Sequence, residues 1–182
     1  MCGCTNPFST RSVEAPDNTQ ESDIFDVPTS FEKVFSNLKF ALEQKNVVNY
    51  MNCLVDTALS AAPPYRFIPD PTIQRSELAN WQLEDERNYV NKLFKDAVKI
   101  SFEYLTDPDP QLISNSIDIA ETRFFLYQFK ITLDTEIVFT GKARMRLVKN
   151  ELSLWSVYLW EDFRDESDNP DTWSELKARY RN

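Results

Sequence analysis

Histidine is absent from this chain. Its absence removes the side chain that most often moves protons near neutral pH and most often ligates metal, so triads and dyads built on His are excluded. Glycine occurs only twice, at Gly3 and Gly141, too seldom for the glycine-rich loops that wrap phosphate in Walker or dinucleotide-binding motifs. Lysine and arginine number 20 against 29 acidic residues, a formal net charge of −9. The clustered cations that nucleic acid demands are therefore lacking, and no nucleic-acid partner is expected. The three cysteines are Cys2, Cys4 and Cys53, and this spacing supports no disulfide framework. Cys53 lies in an amphipathic stretch and reads as a small buried apolar residue. No run of about 18 apolar residues occurs, so any membrane attachment of the sequence as read would have to be covalent. No metal site, cofactor or catalytic residue is assigned.

What the chain does contain is core material. Of its 182 residues, 42% are hydrophobic and 13% aromatic, enough for one ordinary domain with a tail. The opening MCGCTNPF is similar to the last step of a bacterial lipoprotein signal, in which a small residue precedes the cysteine that receives lipid. The resemblance implies cleavage after Gly3 and lipidation of Cys4. A normal secretory segment has basic and apolar regions upstream of this point, and they are missing here, so the expectation includes a start upstream of Met1 or a trimmed chain. A C-x-C pair in an unstructured tail, holding metal or nothing, is the other reading of the same residues. The following TNPFSTRSVEAPDNTQESD is polar, acidic and without apolar periodicity, the composition of a flexible tether. The expected organisation is a lipid-attachment site and tether over 1–27 and a folded domain over 28–182, in the cell envelope, anchored to a bacterial membrane.

Within the domain, Phe31, Val34, Phe35, Leu38, Ala41 and Leu42 recur at helical spacing, and Val47, Tyr50, Met51, Leu54 and Val55 begin a second short helix after Asn46. The proline-rich AAPPYRFIPDP permits only a loop or a short edge strand around Tyr65, Arg66 and Phe67. A third helix follows Leu83, with Glu84, Asp85 and Glu86 placed favourably in its first turn and Tyr89, Val90, Leu93, Phe94 and Ala97 as its buried stripe. Beyond Val98 the period changes to 2. Strands are expected over Lys99 to Leu105, over Ile117 to Leu133 with a bend, and over Ile137 to Leu147, where Gly141 marks a bulge. LSLWSVYLWEDF forms a last strand with Trp155, Val157 and Leu159 on one face and Leu154, Tyr158 and Trp160 on the other. A helix from Trp173 to Tyr180 closes the domain.

Helices followed by a meander of bent antiparallel strands, ending in W-x-V-x-x-W-x-D at Trp155, Val157, Trp160 and Asp162, resembles the nuclear transport factor 2-like superfamily. The segments RFIPDP, WQLEDERNYVNKLF and DTWSELKARY are similar to envelope lipoproteins of that kind. The resemblance implies an α+β cone, helices packed on a curved antiparallel sheet, with a cavity that some members use for small apolar ligands. Here that cavity would be lined by Phe102, Tyr104, Tyr127, Phe129, Met145 and Trp155, the same pattern any filled core would show. Enzymes of the superfamily use a buried carboxylate or a His–Asp dyad. Without histidine, only an isolated acid such as Asp118 or Glu121, helped by Tyr104 or Tyr127, would remain. Asp162, beside Glu161, Arg164 and Asp165, reads as the solvated end of its strand. The expected function is a non-enzymatic domain binding a small apolar ligand or an envelope protein. An isomerase- or cyclase-like enzyme and a homodimeric adaptor, joined through the polar outer rows of the sheet (Lys142, Arg144, Arg146; Gln128, Lys130, Thr132), are the other two classes.

Overall fold

The computed structural model describes residues 25–57, 62–73, 78–113, 116–166 and 171–181. Cys4 and nearly all of the expected tether lie outside the described residues. The first helix, α1 (Phe31–Glu43), follows Ser30 as N-cap and buries Val34, Phe35, Leu38, Ala41 and Leu42, the apolar stripe of its sequence. Lys45 adopts φ 52°, which ends the helix in the left-handed region. Asn46 then caps α2 (Val47–Asn52), its side chain accepting from the Asn49 N–H at 3.0 Å. Helix α3 (Leu83–Asp96) starts where the Gln82 N–H donates to Asp85 Oδ2 at 3.0 Å, a carboxylate stabilising the helix N-terminus. Helix α4 (Trp173–Tyr180) is capped by Thr172.

Among the described residues, seven strands form one curved sheet: β1 (Arg66–Ile68), β2 (Lys99–Tyr104), β3 (Gln111–Leu112), β4 (Ile119–Glu121), β5 (Phe125–Thr132), β6 (Glu136–Lys149) and β7 (Trp155–Phe163). The long strand β6 organises the rest. On one side its first half pairs with β5, which in turn carries β2, and its second half pairs with β4; on the other side it pairs with β7. The expected α+β class, helices on a curved sheet, is what forms. The sheet is mixed rather than purely antiparallel, because the proline-bounded strand β1 joins β7 in parallel.

Two local expectations are corrected. Gly141 is not a bulge: it stands in regular register opposite Tyr127, and its missing side chain makes room for the Tyr127 ring. The bulge lies in β7, where Leu147 pairs with Val157 but Arg146 pairs with Leu159, leaving Tyr158 as the extra residue. An extra residue in a period-2 strand reverses which side faces the core. Trp155 and Val157 before the bulge, and Trp160 and Asp162 after it, are consequently all buried. Strict alternation, as expected from the sequence, places Trp155 and Trp160 on opposite faces; the bulge puts both on the same one.

Candidate functional site

The interior of the cone holds two polar clusters joined by α4. Lys177 on α4 and Glu86 on α3 form an ion pair in which both side chains are 0% exposed. The remaining acceptor capacity of Glu86 is taken by the Tyr50 hydroxyl at 2.6 Å, the Tyr65 hydroxyl at 2.9 Å and Trp81 Nε1 at 2.7 Å. The Lys177 ammonium lies 4.1 Å from the ring centre of Phe67 and 5.1–5.3 Å from those of Trp81, Tyr89 and Trp160, an aromatic cage whose quadrupoles favour a cation. Burial pulls the Lys177 ammonium below its ordinary range, with Glu86 opposing the shift. Burial pushes the Tyr50 and Tyr65 hydroxyls well above theirs, and the Glu86 charge adds to it.

The second cluster centres on Asp162. Tyr127 Oη donates to its Oδ1 at 2.7 Å, and Oδ2 accepts from the Ser174 N–H at 2.7 Å and the Ser174 hydroxyl at 2.6 Å. Tyr127 Oη accepts in turn from the Trp173 N–H at 2.7 Å, and Trp173 Nε1 donates to Tyr89 Oη at 2.9 Å. The Asp70 N–H donates to Ser174 Oγ at 3.0 Å, while the Asp70 carboxylate accepts from the Thr72 N–H at 2.7 Å and from the Arg164 N–H. Burial raises the Asp162 carboxyl above the usual aspartate range, against the hydrogen bonds that favour its charge. This reverses the expectation of a solvated strand end: Asp162 is 0% exposed, carried inward by the bulge at Tyr158.

Between the clusters sits Trp173. Its ring lies 4.3 Å from that of Trp160, 4.9 Å from Phe129, 5.2 Å from Phe102 and 5.4 Å from Tyr127, centre to centre. Three of the six residues expected to line a ligand cavity, Phe102, Tyr127 and Phe129, thus converge on a tryptophan of the same chain. Tyr104 joins Phe35 and Phe125 and donates its hydroxyl to the Phe35 carbonyl at 3.1 Å. Met145 is buried opposite Trp160 in register. Trp155 lies at the far end of the sheet against Phe31, ring centres 4.6 Å apart. The candidate acids Asp118 and Glu121 stay outside the core: Asp118 pairs with Lys149 at 3.6 Å, and Glu121 with Arg146 and, at 3.9 Å, with Arg144.

Sequence reasoning missed the Glu86–Lys177 pair. A signal for it exists. Glu86 is in phase with Tyr89, Val90 and Leu93, and Lys177 stands four residues after Trp173, so each charge occupies the apolar stripe of its own helix.

A separate recess of about 450 Å³ opens where the N-terminal segment joins the domain. Met51, Leu54, Val55, Val148 and Leu154 give it an apolar lining, Phe25, Val27, Pro28 and Val48 contribute further apolar wall, and Asn52, Asp56, Arg87 and Asn150 add polar groups. The recess is held by short backbone ties: Trp155 N–H to the Pro28 carbonyl at 2.8 Å, and Val55 N–H to the Val157 carbonyl at 2.9 Å. Apolar walls with a few convergent polar groups are the usual character of a small-molecule site. Among the described residues, no group of three or more His, Cys, Asp or Glu could hold a metal ion, and no helix is long and apolar enough to cross a membrane.

No protein-family model matches the chain, and no curated protein matches it in sequence. Solved structures do match its fold. A nuclear transport factor 2-like superfamily protein from Salmonella enterica serovar Typhimurium superposes with TM-score 0.55 at 14% identity, covering 76% of this chain and 90% of that one. A nuclear transport factor 2-like protein of unknown function in nutrient uptake from Rhodospirillum rubrum gives 0.54 at 9%, covering 75% and 98%. A ketosteroid isomerase-like protein from Erwinia carotovora atroseptica gives 0.52 at 9%, covering 79% and 100%. The domain has the nuclear transport factor 2-like fold.

Proposed function

We propose that this domain, built on the nuclear transport factor 2-like fold, is a non-enzymatic binding module of the bacterial cell envelope, held to a membrane by lipid on Cys4 and taking a small apolar molecule into the recess beside its N-terminal junction. The observation that carries the binding reading is the filling of the cone. Trp173, Ser174 and Lys177 of α4 occupy the position where a cavity was expected, and the interior carboxylates Glu86 and Asp162 already accept hydrogen bonds from the protein itself. A general base must reach the proton it abstracts, and both acids are turned toward side chains of the chain. The recess, by contrast, is open and mostly apolar.

Two measurements test the two halves. For the anchor, protein expressed in a bacterial host from an upstream start should yield a mature chain beginning at Cys4 with a diacylglycerol thioether by mass spectrometry; an unmodified Cys4 removes it. For the recess, an apolar fluorophore such as anilinonaphthalene sulfonate should bind and brighten, and Val48→Arg, at an exposed rim position, should weaken that binding about tenfold, the effect of about 1.4 kcal/mol, without changing the melting temperature. Equal affinity in the two proteins would remove the recess as the site.

A further inference from the structure

We propose that the end of the domain carrying the recess is a membrane-contact face whose occupant is the lipid surface itself, so that the recess opens toward the bilayer. The proposal rests on the lipid-anchored reading above. Its residues come from four separate segments. Val27, Val48, Ile117 and Leu152 are 61%, 67%, 74% and 78% exposed, and the backbone brings them to one end of the sheet. Leu152 is in the turn between β6 and β7. The Lys149 N–H donates to the Asp118 carbonyl at 2.8 Å and Lys149 Nζ to the Ile117 carbonyl at 3.1 Å, which sets Ile117 beside that turn. On its other side the Trp155 N–H meets the Pro28 carbonyl at 2.8 Å and brings Val27 in, while Val27 and Val48 share the recess with Asn150 and Leu154.

Apolar side chains gathered on one exposed face mark an interaction surface. The lipid is favoured as its occupant by the place where the N-terminal segment enters. Phe25, Val27 and Pro28 line the recess, so a chain tethered through Cys4 is held by the rim of this same face. About 20 residues separate Cys4 from Phe25, and on the tether reading of their composition their root-mean-square span would be roughly 25 Å, no more than a domain diameter. A tether that short keeps the face at a high effective concentration against the membrane, so weak apolar contacts suffice. The face carries less charge than the net −9 of the chain suggests: Lys149 pairs with Asp118 at 3.6 Å and Arg87 with Glu84 at 3.8 Å, and Asp56 and Glu151 add two acids. Glu151, in the same turn as Leu152, keeps the contact at headgroup depth.

The test separates this face from the anchor. The full chain, with Cys2 and Cys4 replaced by Ser and a hexahistidine tag at its N-terminus, is held on phosphatidylethanolamine/phosphatidylglycerol vesicles doped with a nickel-chelating lipid, so attachment no longer depends on acylation. A solvatochromic fluorophore on Leu152→Cys should shift to the blue when the vesicles are added. The same fluorophore on Glu136→Cys, at the opposite end of β6, should not shift, and adding Ile117→Asp and Val27→Asp should abolish the shift at position 152. Matching emission at the two positions would overturn the proposal and leave the Cys4 anchor standing. An unmodified Cys4 in cells would remove the anchor and leave the vesicle result standing. A blue shift that appears without vesicles and grows with protein concentration would give the face to a second copy of the chain, and would also overturn the proposal.

Discussion

Tyr127 crosses its neighbour strand over Gly141 so closely that a Cβ built on the glycine would lie 2.8 Å from Tyr127 Cζ, closer still to the hydroxyl oxygen, and 3.0 Å from the Phe163 carbonyl. The glycine has no unusual backbone angle; it is there for the space. Gly141→Ala is therefore expected to destabilise the domain by about 1–3 kcal/mol, the usual cost of overpacking a core, because the displaced ring also carries the hydroxyl held by Asp162. Tyr127→Phe in the same chain should recover part of that loss, and a double-mutant cycle read by urea denaturation measures the coupling. Additive effects of the two changes would show that the contact does not limit the packing.

The buried pair on α3 and α4 predicts an asymmetry. Glu86→Gln or Lys177→Met alone leaves an uncompensated charge or its partners inside the cone and should cost about 3–5 kcal/mol. Replacing both at once, Glu86→Leu with Lys177→Met, should cost less than either single change, because a pair desolvated so completely recovers little of its hydration loss. Glu86 also holds Tyr50, Tyr65 and Trp81, so Phe at the two tyrosine positions belongs in the most stable combination. Denaturation midpoints of the single and double variants decide the matter. A double variant weaker than both singles would show that the ion pair itself stabilises the fold.

Asp162 gives the domain a pH signature. Its folded pKa is raised by burial above the unfolded value of about 3.9, so in the window between those two values the native state binds more protons than the unfolded chain. Stability contributed at this site consequently falls as pH rises through the window, and is level below it and above it. Measured from about pH 3.5 to neutrality, the stability of the parent protein relative to Asp162→Asn should decline with pH. A difference that rises with pH would mean that the hydrogen bonds from Tyr127 and Ser174 outweigh desolvation.

Trp173 fills the cone, so its removal should reveal a hollow. Trp173→Ala is expected to cost about 3–5 kcal/mol and to leave an apolar cavity bounded by Phe102, Tyr127, Phe129 and Trp160. Such cavities accept aromatic guests of matching shape. Indole added in the millimolar range should raise the melting temperature of the variant and leave the parent unchanged. No response to indole, together with a small stability loss, would show that the neighbouring side chains collapse into the space.

Much of this architecture can be read from residue order. The helical rhythm of α1 and α3 ends near Val98 and a strand rhythm begins there, because the apolar stripe of an amphipathic helix and the alternation of a half-buried strand follow directly from backbone geometry. The start of α4 at Trp173 follows from Thr172 as its cap. Pairing of distant segments is not local in this way. Nothing in RFIPDP states that β1 will lie parallel to β7, and the extra residue at Tyr158 becomes visible only once β6 supplies a ruler beside it. Candidate ligand positions suffered from the same limit. Phe102, Tyr127 and Phe129 do point inward, as their alternation requires, but whether an inward face meets empty space or Trp173 depends on a helix that starts 44 or more residues later. Buried charge was concealed for another reason: Glu86 stands among three acids in the first turn of α3, where helix-dipole stabilisation accounts for any of them equally well.

Among the described residues, helix α4 follows every strand in chain order, so it is made after them at the ribosome. When β7 emerges, Asp162, Tyr127 and Glu86 face a groove that nothing yet fills, and the sheet is a wet trough with three ionisable groups in it. Trp173, Ser174 and Lys177 dry the trough and complete its polar clusters, adding Lys177 to the Tyr50, Tyr65 and Trp81 already around Glu86, and Ser174 to the Tyr127 already on Asp162. A chain lacking α4 would therefore present that unsealed trough to chaperones and proteases.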